Sequence, residues 1–189
     1  MHMVIGIDEV GRGAWAGPLV VGAVALAKPV AGLADSKILS SQTRSRLAKE
    51  IKGAAAFYGI GWVSSSEVDD LGLTKATTLA CQRAISGAPS HSKIIIDGHI
   101  NYLEELSNVT TVIDGDQLVP EISAAAIIAK VARDEFMAKQ AHKYPFYGFV
   151  SNVGYGTSAH LLAIKSHGLT PLHRWSFKPI QKILNNYEA

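Results

Sequence analysis

Cysteine is almost missing from this chain of 189 residues, where Cys81 stands alone. A single cysteine excludes an internal disulfide and any thiolate zinc cluster. Long apolar runs are missing too: no stretch approaches the ~18 apolar residues that a membrane span needs. The opening residues MHMVIGIDE show neither a basic leader nor a cleavage site, so no secretory signal is expected. Aromatic residues make up 7% and charged residues 18%, against 48% hydrophobic. That balance suits one domain with a sizeable core, in a cytoplasmic protein. Repeats, low-complexity tracts and linkers are absent.

What charge there is lies unevenly. The net value is +2, yet residues 1–129 hold 10 Lys/Arg against 13 Asp/Glu, and residues 130–189 hold 8 against 3. His142, His160, His167 and His173 also fall in the second part. An acidic front and a basic tail suit a metal centre in one part and a polyanion on the other. A solvated helical surface is the plainer alternative.

Hydrophobic periodicity orders the chain. MVIGI reads as a buried strand, PLVVGAVAL (18–26) as a second and AAAFYGIGWVS as a third, close enough in sequence for an antiparallel meander. LSSQTRSRLAKEI predicts a helix between the second and third, capped by Ser40 or Ser41. Residues 64–85 predict a helical stretch broken near Gly72. KIIID (93–97) and NVTTVID (108–114) are further strands. The long helix VPEISAAAIIAKVARDEFMAKQAHKY follows, with Pro120 in its first turn and one apolar stripe through Ile122, Ala126, Ala129 and Ala132. YPFYGFVSNVGYGT predicts a loop rich in Tyr and Gly. Helices near SAHLLAIKSHG and FKPIQKILNNY close the chain. Strands alternating with helices imply parallel pairing, so the fold class is α/β on a mixed sheet.

Four acids fall at or just after strand ends: Asp8, Glu9, Asp97 and Asp116. Carboxylates gathered without cations repel one another and their pKa values rise. A divalent metal removes that problem, and hard oxygen ligands without cysteine select Mg²⁺ or Mn²⁺ over zinc. Two such ions would activate a water and stabilise the leaving oxygen of a phosphodiester. Any one of these acids alone would read as a turn or cap residue. Adjacent Asp8 and Glu9 are harder to explain, because neighbours on a strand point to opposite faces.

GIDEVGRGAWAGPLVVGAV, LADSKILS, IIIDGH, GDQLVPEISAAAIIAKVARD, YPFYGFVSNVGYGTSAH and HRWSF resemble, in order and spacing, the motifs of ribonuclease HII. The likeness runs from Ile5 to about Phe177. It implies a ribonuclease H-like fold with a five-stranded mixed sheet, as a single catalytic domain over 1–189 with a helical substrate-binding extension from about 143. It also implies a two-metal endonuclease acting on RNA–DNA hybrids and on DNA that contains ribonucleotides. The resemblance further implies cleavage 5′ to the ribonucleotide, leaving 3′-hydroxyl and 5′-phosphate ends.

By the same resemblance Asp8, Glu9, Asp97 and Asp116 are the metal-binding and catalytic carboxylates, with Mg²⁺ or Mn²⁺ as cofactor. Asp134 competes for the fourth place and is assigned a structural role. Gly11, Arg12 and Gly13 meet the ribonucleotide, since glycine lets backbone groups approach closely and a 2′-hydroxyl both donates and accepts. Lys37, Ser123, Lys130 and Arg174 are the remaining substrate-binding candidates, Arg174 as a support of the site or of the duplex, and Tyr155 is expected to stack on the neighbouring sugar. Three positions depart from the family's common residues: Ala126 replaces a serine, Val153 a lysine and Trp175 an arginine. A monomer is expected, and FKPIQKILNNYEA lacks the aromatic pair of a clamp-binding peptide. Rival readings are a sugar-kinase-like phosphate loop, a hybrid-binding module without cleavage, and a junction-resolving nuclease.

Overall fold

A computed structural model describes residues 3–33 and 39–185. Five strands form one sheet in the order β3-β2-β1-β4-β5. They are β1 (Val4–Val10), β2 (Leu19–Leu26), β3 (Ala55–Val63), β4 (Lys93–Asp97) and β5 (Val109–Val112). The first three pair antiparallel, as the short connections predict; β4 joins β1, and β5 joins β4, in parallel. The ribonuclease H-like α/β expectation holds.

Helices flank both faces. Helix α1 (Ser41–Ala54) is capped by Ser40, whose Oγ accepts the Thr43 N–H at 3.1 Å. The predicted break at Gly72 separates α2 (Ser65–Leu71) from α3 (Leu73–Ala84), where the backbone turns with φ 73. A four-residue α4 (Gly115–Leu118) precedes the long α5 (Pro120–Lys143). The stretch predicted as a loop after α5 contains a 3-10 turn at Pro145–Tyr147 and a short α6 (Phe149–Asn152). α7 (Ser158–His167) and α8 (Lys178–Asn185) complete the described chain.

The single apolar stripe expected for α5 is not what packs. Every residue from Ile122 to Ala129 is buried, whereas Ala132 is only partly so. The reason is an approach so close that no Cβ fits beneath it. A Cβ on Gly6 would stand 2.2 Å from the Glu121 carbonyl carbon, and one on Gly22 would stand 2.3 Å from the Ala125 oxygen. With the sheet on one side and α1 on another, the first half of α5 has no solvent face, and its alanines suit the narrow space.

Three apolar clusters result. One joins Ile5, Ile7, Val21, Ile94 and Ile96 to α3 through Ala80 and Cys81. Another joins Val24 to Leu47, Ile51 and Ile127. The third gathers the C-terminal part around Met137, Tyr147, Phe149, Ile164 and Ile180. Phe177 packs against the first and third, so the C-terminal helices are fastened to the sheet.

Candidate active site

Strand register brings the first two acids to one place. β1 pairs with β4 only as far as Ile7 opposite Ile96, but it continues along β2 through Val10. The acids, expected at or just after the strand end, therefore lie within the last three residues of β1. Past Ile7 the β4 side of the strand is open. Parallel alternation sets Asp8 beside Asp97 on the face that α5 covers, and sends Glu9 to the opposite face. Both still line one cavity of about 460 Å³, beside the end of the β1–β4 pairing. Its wall also includes Gly11, Arg12, Gly13, Asp97, Ala126, Lys130 and Tyr155.

The electrostatics record the crowding. Asp8 has its carboxyl pushed well above the usual carboxylate range, first by burial and then by the charges of Glu9, Asp97 and Asp116. Burial also raises Glu9, against the pull of the Arg12 guanidinium, whose Nη1 lies 3.5 Å from Glu9 Oε1. The Glu9 N–H donates to Asp8 Oδ1 at 2.7 Å. Asp97 Oδ1 accepts the Gly115 N–H at 2.7 Å, which seats the first turn of α4 beside the cavity. That turn carries Asp116, itself only 7% exposed. Asp114 reaches the left-handed region at φ 55 to make this turn possible, a conformation aspartate tolerates.

The donor set fits a hard divalent ion. It consists of carboxylate oxygens, it includes no thiolate, and its leading member carries charge that a cation would relieve. Among the described residues no three His, Cys, Asp or Glu side chains stand in a ready-made coordination cluster.

The other predicted residues divide. Gly11 takes φ 84, and a Cβ there would meet Arg133 Nε at 2.1 Å, so a side chain is excluded. Nothing lies within 4 Å of a Cβ built on Gly13, which leaves its backbone open to the cavity. Lys130 lines the cavity while its Nζ donates to Asp134 Oδ1 at 2.9 Å; Asp134 also lies 3.7 Å from Arg44 Nη2. Asp134 is thus tied to two cations, in keeping with a structural role. Tyr155 is 36% exposed at the cavity wall, with Arg133 Cζ 5.4 Å from its ring centre. Lys37 lies outside the described residues.

Burial narrows two substrate-binding expectations, Arg174 to a support of the site and Ser123 to the interior. Arg174 is fully buried, and its guanidinium donates to the carbonyl oxygens of Gly17 and Arg12, leaving it no face toward a duplex. Ser123 is only 3% exposed within the enclosed part of α5. Sequence reasoning also missed three residues. Arg133, fully buried, donates to the carbonyls of Pro18, Val153 and Ala16 at 2.8–3.1 Å. Tyr102 sets its ring 5.6 Å from the Arg12 guanidinium. Asp69 accepts the backbone N–H groups of Trp175 and Ser176 at 2.8 and 2.9 Å. An alternating arginine in an amphipathic helix reads as solvated, so nothing local marked Arg133 for burial.

Comparison with known proteins gives the family and the fold. Residues 5–180 match the Ribonuclease HII family. A ribonuclease HII from Halorhodospira halophila is 42% identical over 184 residues, spanning 96% of this chain and 94% of that protein. The ribonuclease H2 of Pyrococcus horikoshii superposes with a TM-score of 0.80 at 25% identity, covering 98% of this chain and 99% of that one. The ribonuclease HII of Archaeoglobus fulgidus, solved in a complex with PCNA, does so with 0.79 at 27% identity, covering 93% and 95%.

Fold and likeness define an endonuclease of the ribonuclease H class, a hydrolase of the RNA strand in RNA–DNA hybrids that depends on divalent metal. No helix among the described residues is long and apolar enough to cross a membrane. Within that class, the chain belongs to the ribonuclease HII family.

Proposed function

We propose that this chain incises duplex DNA on the 5′ side of embedded ribonucleotides, and cuts the RNA strand of longer hybrids, leaving 3′-hydroxyl and 5′-phosphate ends. The observation that carries the reading is one cavity lined together by Asp8, Glu9, Asp97, Gly11–Arg12–Gly13, Lys130 and Tyr155. Acids suited to metal and backbone suited to a 2′-hydroxyl meet there, and a binding module that does not cut would gain nothing from acids crowded near phosphates.

Asp8, Glu9, Asp97 and Asp116 would hold Mg²⁺ or Mn²⁺. Two such ions, when bound, supply an activated water and stabilisation of the leaving oxygen. The chain's own contribution is placement. Gly11 and Gly13 let backbone groups reach the ribose, where a 2′-hydroxyl can be both donor and acceptor. Arg12, leaning on Glu9 and Tyr102, offers a planar fork to a phosphate. Lys130 faces the same strand, and Tyr155 meets the sugar beside the ribonucleotide. The protein works as a monomer and as one catalytic domain over 1–189, with residues from about 143 extending the duplex-binding surface.

A labelled duplex with one ribonucleotide tests this. A single cut 5′ to that nucleotide, present with Mg²⁺ or Mn²⁺ and absent with EDTA, is the expected result. Cleavage confined to continuous hybrids, or products with a 3′-phosphate, would overturn it.

A further inference from the structure

Behind Tyr155 lies a buried pair of histidines that the catalytic reading does not use. His160 is 0% exposed and His173 is 1% exposed. The Nδ1 of His160 stands 2.9 Å from the Tyr155 carbonyl oxygen. Nε2 of His160 stands 3.1 Å from Nε2 of His173. At the far end, Nδ1 of His173 lies 2.9 Å from the Thr170 backbone nitrogen.

The two ends dictate every proton between them. A carbonyl only accepts, so His160 Nδ1 carries its hydrogen. A backbone N–H only donates, so His173 Nδ1 is bare. Neutral rings then leave the hydrogen of His173 on Nε2, aimed at the lone pair of His160 Nε2. Each ring has one tautomer, and the chain runs Thr170 N–H to His173 to His160 to Tyr155 without an unsatisfied member. The surrounding rings of Trp15, Tyr147 and Phe149 carry no charge.

We propose that His160 and His173 form a positioning pair that sets Tyr155 for its contact with the substrate sugar. The inference rests on the reading of Tyr155 given above. It explains why so long a polar chain crosses an aromatic cluster that apolar side chains could fill. The pair also registers Tyr155 against the other reading loop. His173 bridges to Ala16, its neighbour Arg174 holds the Arg12 carbonyl at 2.9 Å, and the Trp15 and Ala16 N–H groups donate to the Gly154 carbonyl. The glycine loop and the tyrosine loop are thereby fixed relative to one another.

The test compares a single-ribonucleotide duplex with a continuous hybrid. His160→Leu is expected to lower kcat/KM on the first substrate about tenfold, close to the loss in Tyr155→Ala, and to change the second less. His160→Asn, which keeps an N–H donor at the Nδ1 position, should recover most of that loss. Combined with Tyr155→Ala, His160→Leu should add little. Additive losses, or no rescue by asparagine, would overturn the pairing.

If Tyr155→Ala itself harms both substrates equally, it is the reading of Tyr155 that fails. If Tyr155→Ala is selective and a folded His160→Leu is not, the positioning role alone fails. Should the leucine variant not fold, ¹⁵N-histidine spectra of the unaltered protein decide. They should show His160 protonated at Nδ1 and His173 at Nε2 near neutral pH, and reversed, exchanging or doubly protonated rings would overturn the proposal.

Discussion

The guanidinium of Arg174 donates to the carbonyl oxygen of Arg12 at 2.9 Å, across 162 positions of sequence. Its other donors reach Gly17 at 3.0 and 3.1 Å. The loop that carries Gly11–Arg12–Gly13 is therefore held from below by a buried cation, with Arg133 holding Ala16 and Pro18 beside it. Burial and the nearby Arg133 charge push the Arg174 pKa down to about 9, which still leaves it cationic at neutral pH.

Arg174→Ala should lower stability by about 3 kcal/mol, because buried carbonyls lose their donors. It should also weaken cleavage of both substrate types, since the glycine loop loses its support. Arg174→Lys is expected to rescue poorly, as an ammonium cannot span Arg12 and Gly17 with one planar fork. Urea denaturation with parallel cleavage assays measures both. A stable alanine variant with unchanged activity would refute the supporting role.

Asp8→Asn and Asp97→Asn should each abolish cleavage, since a neutral amide cannot balance a divalent ion. In metal-free buffer, Asp8→Asn should instead raise the thermal midpoint. Asp8 is buried among Glu9, Asp97 and Asp116 with a raised pKa, so its ionised form is disfavoured in the fold at neutral pH. Added Mg²⁺ should raise the midpoint of the unaltered protein and leave the variant nearly unmoved. Thermal scans with and without EDTA give the comparison.

Val153 adopts φ 41, an unfavourable region for a β-branched residue, and lines a polar cleft with Lys130 and Arg44. Val153→Lys should relieve about 1 kcal/mol of backbone strain. If a phosphate passes there, the new cation should steepen the dependence of log affinity on log salt by about 0.9. Duplex affinity titrated from low to moderate salt measures this. Replacing exposed Lys143 or Lys178 with Ala should shift the slope the other way if the basic tail touches the duplex. An unchanged slope in all three would confine that charge to the solvated surface.

Acid should loosen the histidine pair. His173 has its pKa lowered to about 4, by burial first and then by His160, and His160 is lowered by burial as well. The unfolded chain takes up protons near pH ~6.5, before the folded one does. Their stabilising contribution is therefore complete above that pH and is lost as pH falls toward about 4. The expected slope is at most about 1.4 kcal/mol per pH unit for each ring. Asp8 and Glu9 act with the opposite sign, since their raised values favour the fold as pH falls. Denaturation at pH 7, 6 and 5 with His173→Gln as the control isolates the histidine part, and equal slopes in both proteins would exclude it.

The sequence by itself determined the elements and most of the chemistry. Strand periods, the Ser40 cap, the Gly72 break and the acids around β1 and β4 each depend on a few adjacent residues, and local rules read them. The likeness of its motifs carried the family. Tertiary structure alone decided the rest. It ran β1 on past its parallel neighbour, so that Asp8 and Glu9 open into one cavity from inside a strand. It enclosed the first half of α5, turned Arg174 and Arg133 from surface cations into buried donors, and joined His160 to His173. These outcomes depend on backbone carbonyls and rings brought together from distant positions. A side chain's local pattern says that it is polar, but only the packed chain says where its hydrogen bonds go.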